Sequence, residues 1–295
     1  MSTFEPMDMD FALAWDARCD TGESAVWDAA RGQLWFCDIP RGVLYALHLA
    51  SGRQASYTQP EPVGSFGLCA SGELLVALRH RVALFNPALG TRRPFADMRD
   101  IPAHARLNDG KTGPDGCFWV GTVDERAVKE DIGVLYRVRP DGGVEKKAEG
   151  FKASNGLAWS PDGRTLYHSD SRGPWIDAWD FDAHNGSISN RRRLATLSAE
   201  EGRPDGAACD TQGIYWSAGV SAGCLNGFSP SGALLHKVRV PVPAPTMPCF
   251  ADGAVYLTSL SAGLPPERAG HPHAGSLFRA STALRGVPIA LFEPI

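Results

Sequence analysis

Six short apolar segments recur along the chain at intervals of 40 to 48 residues; each is led in by a turn glycine and followed by a second strand-like segment. These three observations predict an all-β fold, a six-bladed β-propeller forming one domain over residues 1–295.

The first segment is Leu34-Trp35-Phe36-Cys37-Asp38. Leu74–Leu78, Phe118–Thr122, Leu166–Asp170, Ile214–Ala218 and Val255–Ser259 follow in order. Their second residues, at 35, 75, 119, 167, 215 and 256, are separated by 40, 44, 48, 48 and 41 positions. That spacing suits a four-stranded blade with its connections. Gly32, Gly72, Gly116, Gly163, Gly213 and Gly253 stand two to four residues ahead of these markers, where hairpin turns commonly need φ > 0. The second strands are Val43–Leu47, Val82–Phe85, Val134–Val138, Ile176–Phe181, Cys224–Phe228 and Ser276–Phe278. A sandwich or barrel also uses short strands, but it does not require six evenly spaced copies. No amphipathic helix of three turns interrupts the pattern, and Leu197–Glu201 allows one helical turn at most. The four prolines of Pro241–Pro248 fall inside the repeat and enter the sixth blade, so they mark no linker. In such a ring the first and last segments meet to close the circle.

Composition narrows the partners. Charged residues make up 21% and hydrophobic ones 43% of the chain, an ordinary soluble mixture. A net charge of −4 gives no electrostatic reason to expect nucleic acid or an anionic membrane. No apolar run approaches the roughly 20 residues that span a bilayer, and Met1–Pro6 lacks a signal-peptide pattern. The seven cysteines are scattered without CxxC pairing, which favours neither a disulfide framework nor a zinc knuckle and points to the cytoplasm.

Four polar residues share one phase of the repeat. Glu23 lies 12 residues before its marker, Asn155 12, Asn108 11 and Asp205 10. Equal phase on different blades means equal position around the axis, so the four converge at one end of the channel. Two carboxylates and two amides offer only oxygen ligands. Carboxylates brought together resist ionisation unless a cation neutralises them. A hard divalent ion such as Ca²⁺, Mg²⁺ or Mn²⁺ suits the set, and oxygen ligands also admit Zn²⁺ or Fe²⁺. Asn-Gly and Asp-Gly are equally the commonest hairpin-turn pairs. Pro114-Asp115-Gly116, Pro140-Asp141-Gly142 and Pro161-Asp162-Gly163 read that way, three to six residues before a strand. Pro204-Asp205-Gly206 has the same letters but stands ten before, and spacing alone sets it apart.

Gly22-Glu23-Ser24-Ala25-Val26-Trp27, Arg106-Leu107-Asn108-Asp109-Gly110-Lys111, Ser154-Asn155-Gly156-Leu157-Ala158-Trp159-Ser160 and Pro204-Asp205-Gly206 occur in order from Gly22 to beyond Phe250. Together they resemble the senescence marker protein/gluconolactonase/luciferin-regenerating-enzyme-like family. Ser189-Asn190-Arg191-Arg192 and Thr246-Met247-Pro248-Cys249-Phe250 add weaker support. The resemblance implies a six-bladed propeller that hydrolyses a sugar lactone to the aldonic acid with one divalent metal. It implies Glu23, Asn155 and Asp205 as metal ligands, Asp205 as general base, and Arg106 and Asn108 as substrate contacts. An acidic residue after the third blade's Gly-Thr usually meets substrate in that family. Asp124 and Glu125 both answer to it, and Glu125 is assigned to substrate. Gly219–Asn226 departs from the family pattern, lacking its tryptophan and arginine.

Opening a lactone needs a polarised carbonyl and an activated water. Three protein ligands leave coordination positions for either, and water activated on the cation is the alternative to Asp205 as base. Arg106, two residues before Asn108 on an extended segment, faces the same pocket and can hold sugar hydroxyls or the ring carbonyl. His271-Pro272-His273 reads as a solvated loop, His168 as a core or channel histidine, and Arg191-Arg192-Arg193 as a solvated loop or strand edge. No GxSxG elbow favours a serine nucleophile. Two other readings stand beside the lactonase: a metal-dependent esterase or phosphotriesterase, and a calcium-binding propeller without catalysis.

Overall fold

The computed structural model describes residues 7–267 and 270–295, so the reading of Met1–Pro6 lies outside the described residues. Their regular structure is all β, in six antiparallel four-stranded sheets arranged as the blades of a propeller. β1 (Ala12–Trp15) belongs to the last blade. The first blade is β2 (Gly22–Asp28), β3 (Gln33–Asp38), β4 (Val43–His48) and β5 (Arg53–Thr58). The second is β6 (Ser65–Leu68), β7 (Leu74–Ala77), β8 (Arg81–Asn86) and β9 (Thr91–Asp97). β10 (Ala105–Thr112), β11 (Phe118–Asp124), β12 (Gly133–Val138) and β13 (Val144–Phe151) make the third. The fourth is β14 (Ser154–Trp159), β15 (Thr165–Asp170), β16 (Trp175–Asp182) and β17 (Ser187–Thr196). β18 (Pro204–Cys209), β19 (Tyr215–Gly219), β20 (Cys224–Phe228) and β21 (Leu234–Arg239) make the fifth. β22 (Pro245–Ala251), β23 (Ala254–Ser259) and β24 (Leu277–Ser281) complete the sixth with β1. The ring therefore closes where the sequence predicts, by Ala12–Trp15 pairing antiparallel with Leu277–Arg279.

Each predicted marker strand is the second strand of a blade, and each lead-in glycine turns with positive φ, from 62° at Gly32 to 89° at Gly72. Alternating side chains of adjacent blades fill the spaces between sheets. Trp119, Leu135, Phe151, Leu157, Trp159 and Leu166 form one such inter-blade core, between the third and fourth blades. Leu197–Glu201 forms a turn, with no helix among the described residues. No helix there is long and apolar enough to cross a membrane. All seven cysteines are buried free thiols.

The inner strands carry the feature that matters for the site. β2, β10, β14, β18 and β22 each slip register against their neighbour, between Glu23 and Val26, Leu107 and Gly110, Asn155 and Ala158, Pro204 and Ala207, and Pro245 and Pro248. β6 pairs with β7 without a slip. A bulge sets two residues against one and re-aims their side chains.

The C-terminal segment lies across the other end of the ring. Val287 N donates to the Cys209 carbonyl at 2.8 Å, Phe292 N to Leu68 at 2.8 Å, and Ile295 N to Pro140 at 2.9 Å. It thereby ties the fifth, second and third blades, and with them it encloses a cavity of about 820 Å³ lined by Trp27, Trp159, Phe250 and Ile289.

Candidate functional site

Glu23, Asn155 and Asp205 are the second residues of β2, β14 and β18, and Asn108 is the fourth of β10. All four stand at or beside the register slips: Glu23 and Asn155 are the last paired residues before theirs, and Asn108 and Asp205 are the first residues inside theirs. Glu23, Asn108 and Asn155 are buried and Asp205 is half-buried. Asp205 closes no turn of its own. The other three Pro-Asp-Gly triplets do, each aspartate accepting from a backbone N–H two residues on, at Cys117 (3.3 Å), Gly143 (2.9 Å) and Arg164 (3.1 Å).

Asn155 and Asp205 meet directly, Asn155 Nδ2 donating to Asp205 Oδ1. The same nitrogen reaches Ser171 Oγ at 3.0 Å, and Ser171 donates to the Pro204 carbonyl at 2.6 Å. Asn155 Oδ1 accepts from Gly156 N at 3.1 Å. Only glycine suits position 156. Its φ is 63°, and a Cβ there would sit 2.4 Å from the Tyr215 hydroxyl and 2.5 Å from Ser169 Oγ.

Across the channel, Glu23 Oε2 accepts from Ser24 N at 2.8 Å, while the buried Oε1 has no partner. Ser24 sits at φ 54°, a left-handed conformation that a non-glycine residue adopts at a cost. Burial, then the Asp205 and Asp109 charges, push the Glu23 carboxyl well above the usual range against the pull of Ser24 N–H and Lys111. Burial and then the Asp109 charge push Asp205 up to about 7, while Asn155 and Arg203 draw it down.

Two members of this group escape the sequence reading. Asp109 Oδ2 accepts from Leu157 N at 2.9 Å, and its Oδ1 is buried without a partner. Burial raises its carboxyl, partly offset by Lys111. Lys111, 7% exposed, donates from Nζ to the Ala207 carbonyl at 2.7 Å, joining the third blade to the fifth. Both lie in the Asn108-Asp109-Gly110-Lys111 run. Counting one residue per strand finds Asn108 only, because a count assumes a regular pleat and the bulge does not keep one.

Arg106 and Asn108 come together as alternate residues of β10. Arg106 Nη1 donates to Asn108 Oδ1 at 2.8 Å, and Asn108 Nδ2 donates to the Ser154 carbonyl at 3.0 Å. Glu125 Oε1 lies 3.4 Å from Arg106 Nε, and its other oxygen takes Arg79. Asp124 is otherwise engaged, accepting from Arg126 Nη2 at 2.8 Å and Glu130 N at 2.7 Å. Of the two acidic candidates, Glu125 is the one beside Arg106.

The remaining predicted features have structural places. His168 is fully buried, with Nε2 2.7 Å from Ser154 Oγ and its ring against Phe151 and Trp175. Burial, aided by the Arg191 charge, pushes it down to about 3 and keeps it neutral. His271 and His273 are half-buried in a loop. The arginine run is a strand edge but is not merely solvated. Arg191 stacks over Trp175 and Trp179, and with Arg193 it clasps the buried Asp177 of β16. Gly219–Asn226 makes the β19–β20 hairpin, and the buried Asn226 amide donates to the Glu201 carbonyl at 2.8 Å.

Glu23, Asp205 and Asn155 offer oxygens for a hard cation, and the unpartnered Glu23 Oε1 beside other carboxylates fits one. As oriented, the Asn155 amide turns its nitrogen to Asp205, so ligation through oxygen exchanges its two ends. Among the described residues no group of three or more His, Cys, Asp or Glu is arranged to hold a metal.

Comparison with known proteins agrees with the fold and the motifs. Regucalcin of Pongo abelii is 33% identical over 270 residues, 88% of this chain and 90% of that protein. A solved regucalcin from Agrobacterium tumefaciens, described as a calcium-binding protein, superposes with a TM-score of 0.92 at 24% identity, covering 98% of this chain and 99% of that one. A luciferin-regenerating enzyme gives 0.87 at 26% identity over 94% and 96%. The SMP-30/Gluconolactonase/LRE-like region matches residues 21–261, and the chain belongs to that family.

Proposed function

We propose that the protein is a metal-dependent hydrolase that opens a sugar lactone to its aldonic acid. The observation that carries the reading is the unpartnered, buried Glu23 Oε1 facing a group that also holds Asp205 and Asp109. Such a cluster is costly in a structural role and useful in a catalytic one. Its family includes gluconolactonases, which supports the same reaction class.

Glu23 and Asp205 through carboxylate oxygens, and Asn155 through its amide oxygen, would hold the cation. When bound, a divalent ion supplies Lewis acidity that polarises the lactone carbonyl and stabilises negative charge on its oxygen. Asp205 takes a proton from the attacking water as the water oxygen bonds to the carbonyl carbon. It returns that proton to the ring oxygen as the ring C–O bond breaks, so the acid and the freed hydroxyl are produced together. Without the cation, Asn155 Nδ2 donates to the Asp205 carboxylate, and Ser171 holds Asn155 in turn. Arg106, braced by Glu125 and Asn108, holds the sugar through its planar fork.

Chelation followed by add-back of Ca²⁺, Mg²⁺, Mn²⁺, Zn²⁺ or Fe²⁺, with a pH-stat assay over an aldonolactone panel, tests the reading. Turnover restored by a divalent ion is the expected result. Faster hydrolysis of aryl esters or organophosphates would identify an esterase or phosphotriesterase, and metal binding without turnover a calcium-binding module.

A further inference from the structure

The face that carries the proposed site also carries an arc of cations, and not all of them have an acid to answer. Arg79 and Arg106 share Glu125. Arg126 is taken by Asp124 and Glu130. Arg172 and Arg203 differ: among the described residues neither guanidinium enters an ion pair or a side-chain hydrogen bond, and their hydrogen bonds are made by the backbone, Arg172 N to Asp170, Arg203 N to Ser221 and the Arg203 carbonyl from Val220 N.

Their position is tied to the site. Arg172 follows Ser171, which bonds Asn155 Nδ2, and Arg203 precedes Pro204, whose carbonyl accepts from the same Ser171 hydroxyl at 2.6 Å. One hydroxyl thus holds the two arginine-bearing segments together beside the Asn155–Asp205 contact. Lys129 continues the arc, its Nζ on the Asp124 carbonyl next to Glu125. Partial burial and then the Arg172 and Arg106 charges hold Lys129 below the ordinary lysine range. The Arg172 and Arg203 charges lie within electrostatic reach of one another, with the Asp205 carboxylate on the opposing side. Like charges gathered at close quarters repel; Asp205, Asp124 and Glu125 offset part of this, and an anion relieves the rest. Guanidinium groups suit carboxylate and phosphate oxygens through paired N–H donors.

We propose that the substrate lactone carries a second, anionic group, a carboxylate or a phosphate, held by Arg172 and Arg203 with Lys129 beside them. The reaction rests on the hydrolase reading above, but the anion site does not. The neutral sugar face would lie toward Arg106 and the charged group toward the fourth and fifth blades.

Two measurements test this. The first compares kcat/KM for glucono-δ-lactone, its 6-phosphate and a glucaric acid lactone in the wild type and in R172Q/R203Q. At least one charged lactone is expected to be preferred about tenfold or more. The double substitution should cost it roughly 10- to 150-fold, mostly in KM, the worth of one charged hydrogen bond. The loss on the neutral lactone should be at least about tenfold smaller. Whether carboxylate or phosphate leads identifies the group. Equal losses on neutral and charged lactones would mean that the arginines only balance the acidic residues below them, and would overturn the proposal. So would a preference that survives R172Q/R203Q. The second measurement needs no turnover: calorimetric binding of glucose, glucuronate and glucose 6-phosphate. Tighter binding of a charged sugar, lost in R172Q/R203Q, supports the anion site even if no lactone is opened, an outcome that sinks the hydrolase reading alone. Equal affinity for all three sugars overturns the anion site whatever the lactone assays give.

Discussion

The two mouths of the channel are made from opposite ends of the same inner strands, and they share almost no chemistry. At one mouth the strands are bulged and bring Glu23, Asp109, Asn155 and Asp205 into contact or electrostatic reach of one another, under an arc of arginines. At the other the ladders are regular, the walls are Trp27, Trp159 and Phe250, and the C-terminal segment crosses a cavity of about 820 Å³. Lys111 lines that cavity while its charge acts on Asp109 and Glu23. Open space and the crowding of charged groups are thus set by different features of this propeller. The wide mouth is apolar and large. The bulged mouth is where side chains are forced into company they would avoid in water, and the proposed reaction is placed there for that reason. All four predicted site residues come from slipped inner strands; β6, the one without a slip, contributes none, and neither does the slipped β22.

The sharpest way to break this contrast is to remove a carboxylate from the bulged mouth. Glu23→Ala or Asp205→Ala should lose most of the bound metal and lower kcat/KM for the best lactone by about 10²- to 10⁴-fold, the range for a missing acid–base group. Metal content by mass spectrometry and kinetics on one sample check both halves. Wild-type metal content in Glu23→Ala would remove Glu23 from the ligand set.

The same carboxylates predict how stability follows pH. In metal-free protein Asp205 keeps its proton up to about pH 7, against an ordinary 3.8, so between those values the folded state binds more protons than the unfolded chain. Stability contributed at this position is therefore lost as pH rises through that window, and the cost is complete above about 7. Under chelation, Asp205→Asn should gain in Tm relative to wild type between pH 5 and pH 8. Adding the cation should stabilise the wild type more at pH 8 than at pH 5, since ligands must be deprotonated. Flat Tm differences across that range would mean that Asp205 ionises freely and that the site does not crowd it.

Much of this was legible in the sequence, for a definite reason. Four consecutive antiparallel strands need three hairpin turns, and Gly32, Gly72, Gly116, Gly163, Gly213 and Gly253 advertise the first of them in every repeat. Glu23, Asn155 and Asp205 could be found by phase because the bulges recur at one place in the blade. What stayed hidden depends on contacts between distant residues. Asp109 and Lys111 look like part of a turn until the Leu107–Gly110 slip is seen. The Arg191–Arg193 run looks solvated until Trp175 and Trp179 lie beneath it. The C-terminal segment after β24 has only isolated bridges and no strand pattern to announce it.

A smaller effect at the reactive mouth separates substrate from metal. Arg106→Ala should leave metal affinity nearly unchanged and lower kcat/KM for polyhydroxylated lactones by roughly 10- to 150-fold, the worth of a charged hydrogen bond. Unsubstituted lactones should suffer less if the guanidinium holds hydroxyls, and equally if it holds the ring carbonyl. Because Arg106 also holds Asn108 Oδ1, a Lys replacement that keeps charge but loses the fork should recover only part of the loss. Lost metal in Arg106→Ala would show that its role is to support the ligand residues.

The smallest effect on activity is expected at the far mouth, and two neighbouring residues make the test internal. Leu291 lines the cavity and is 38% exposed, whereas Phe292 is fully buried, packs edge-on against Phe95 and anchors the segment to the Leu68 carbonyl. Leu291→Ala removes little buried surface, so both stability and kcat/KM should stay within about 0.5 kcal/mol of wild type, or roughly twofold in rate. Phe292→Ala empties a packed site and should cost about 3–5 kcal/mol of stability. If the segment is only a wall, the folded fraction of Phe292→Ala should still turn over lactone within about twofold of wild type at low temperature, where the variant remains folded. Urea titrations give the stability, and initial rates normalised to folded protein give the activity. A tenfold loss in kcat for Phe292→Ala, with metal content intact, would mean that the two mouths communicate through the channel, with Lys111 as the residue to substitute next.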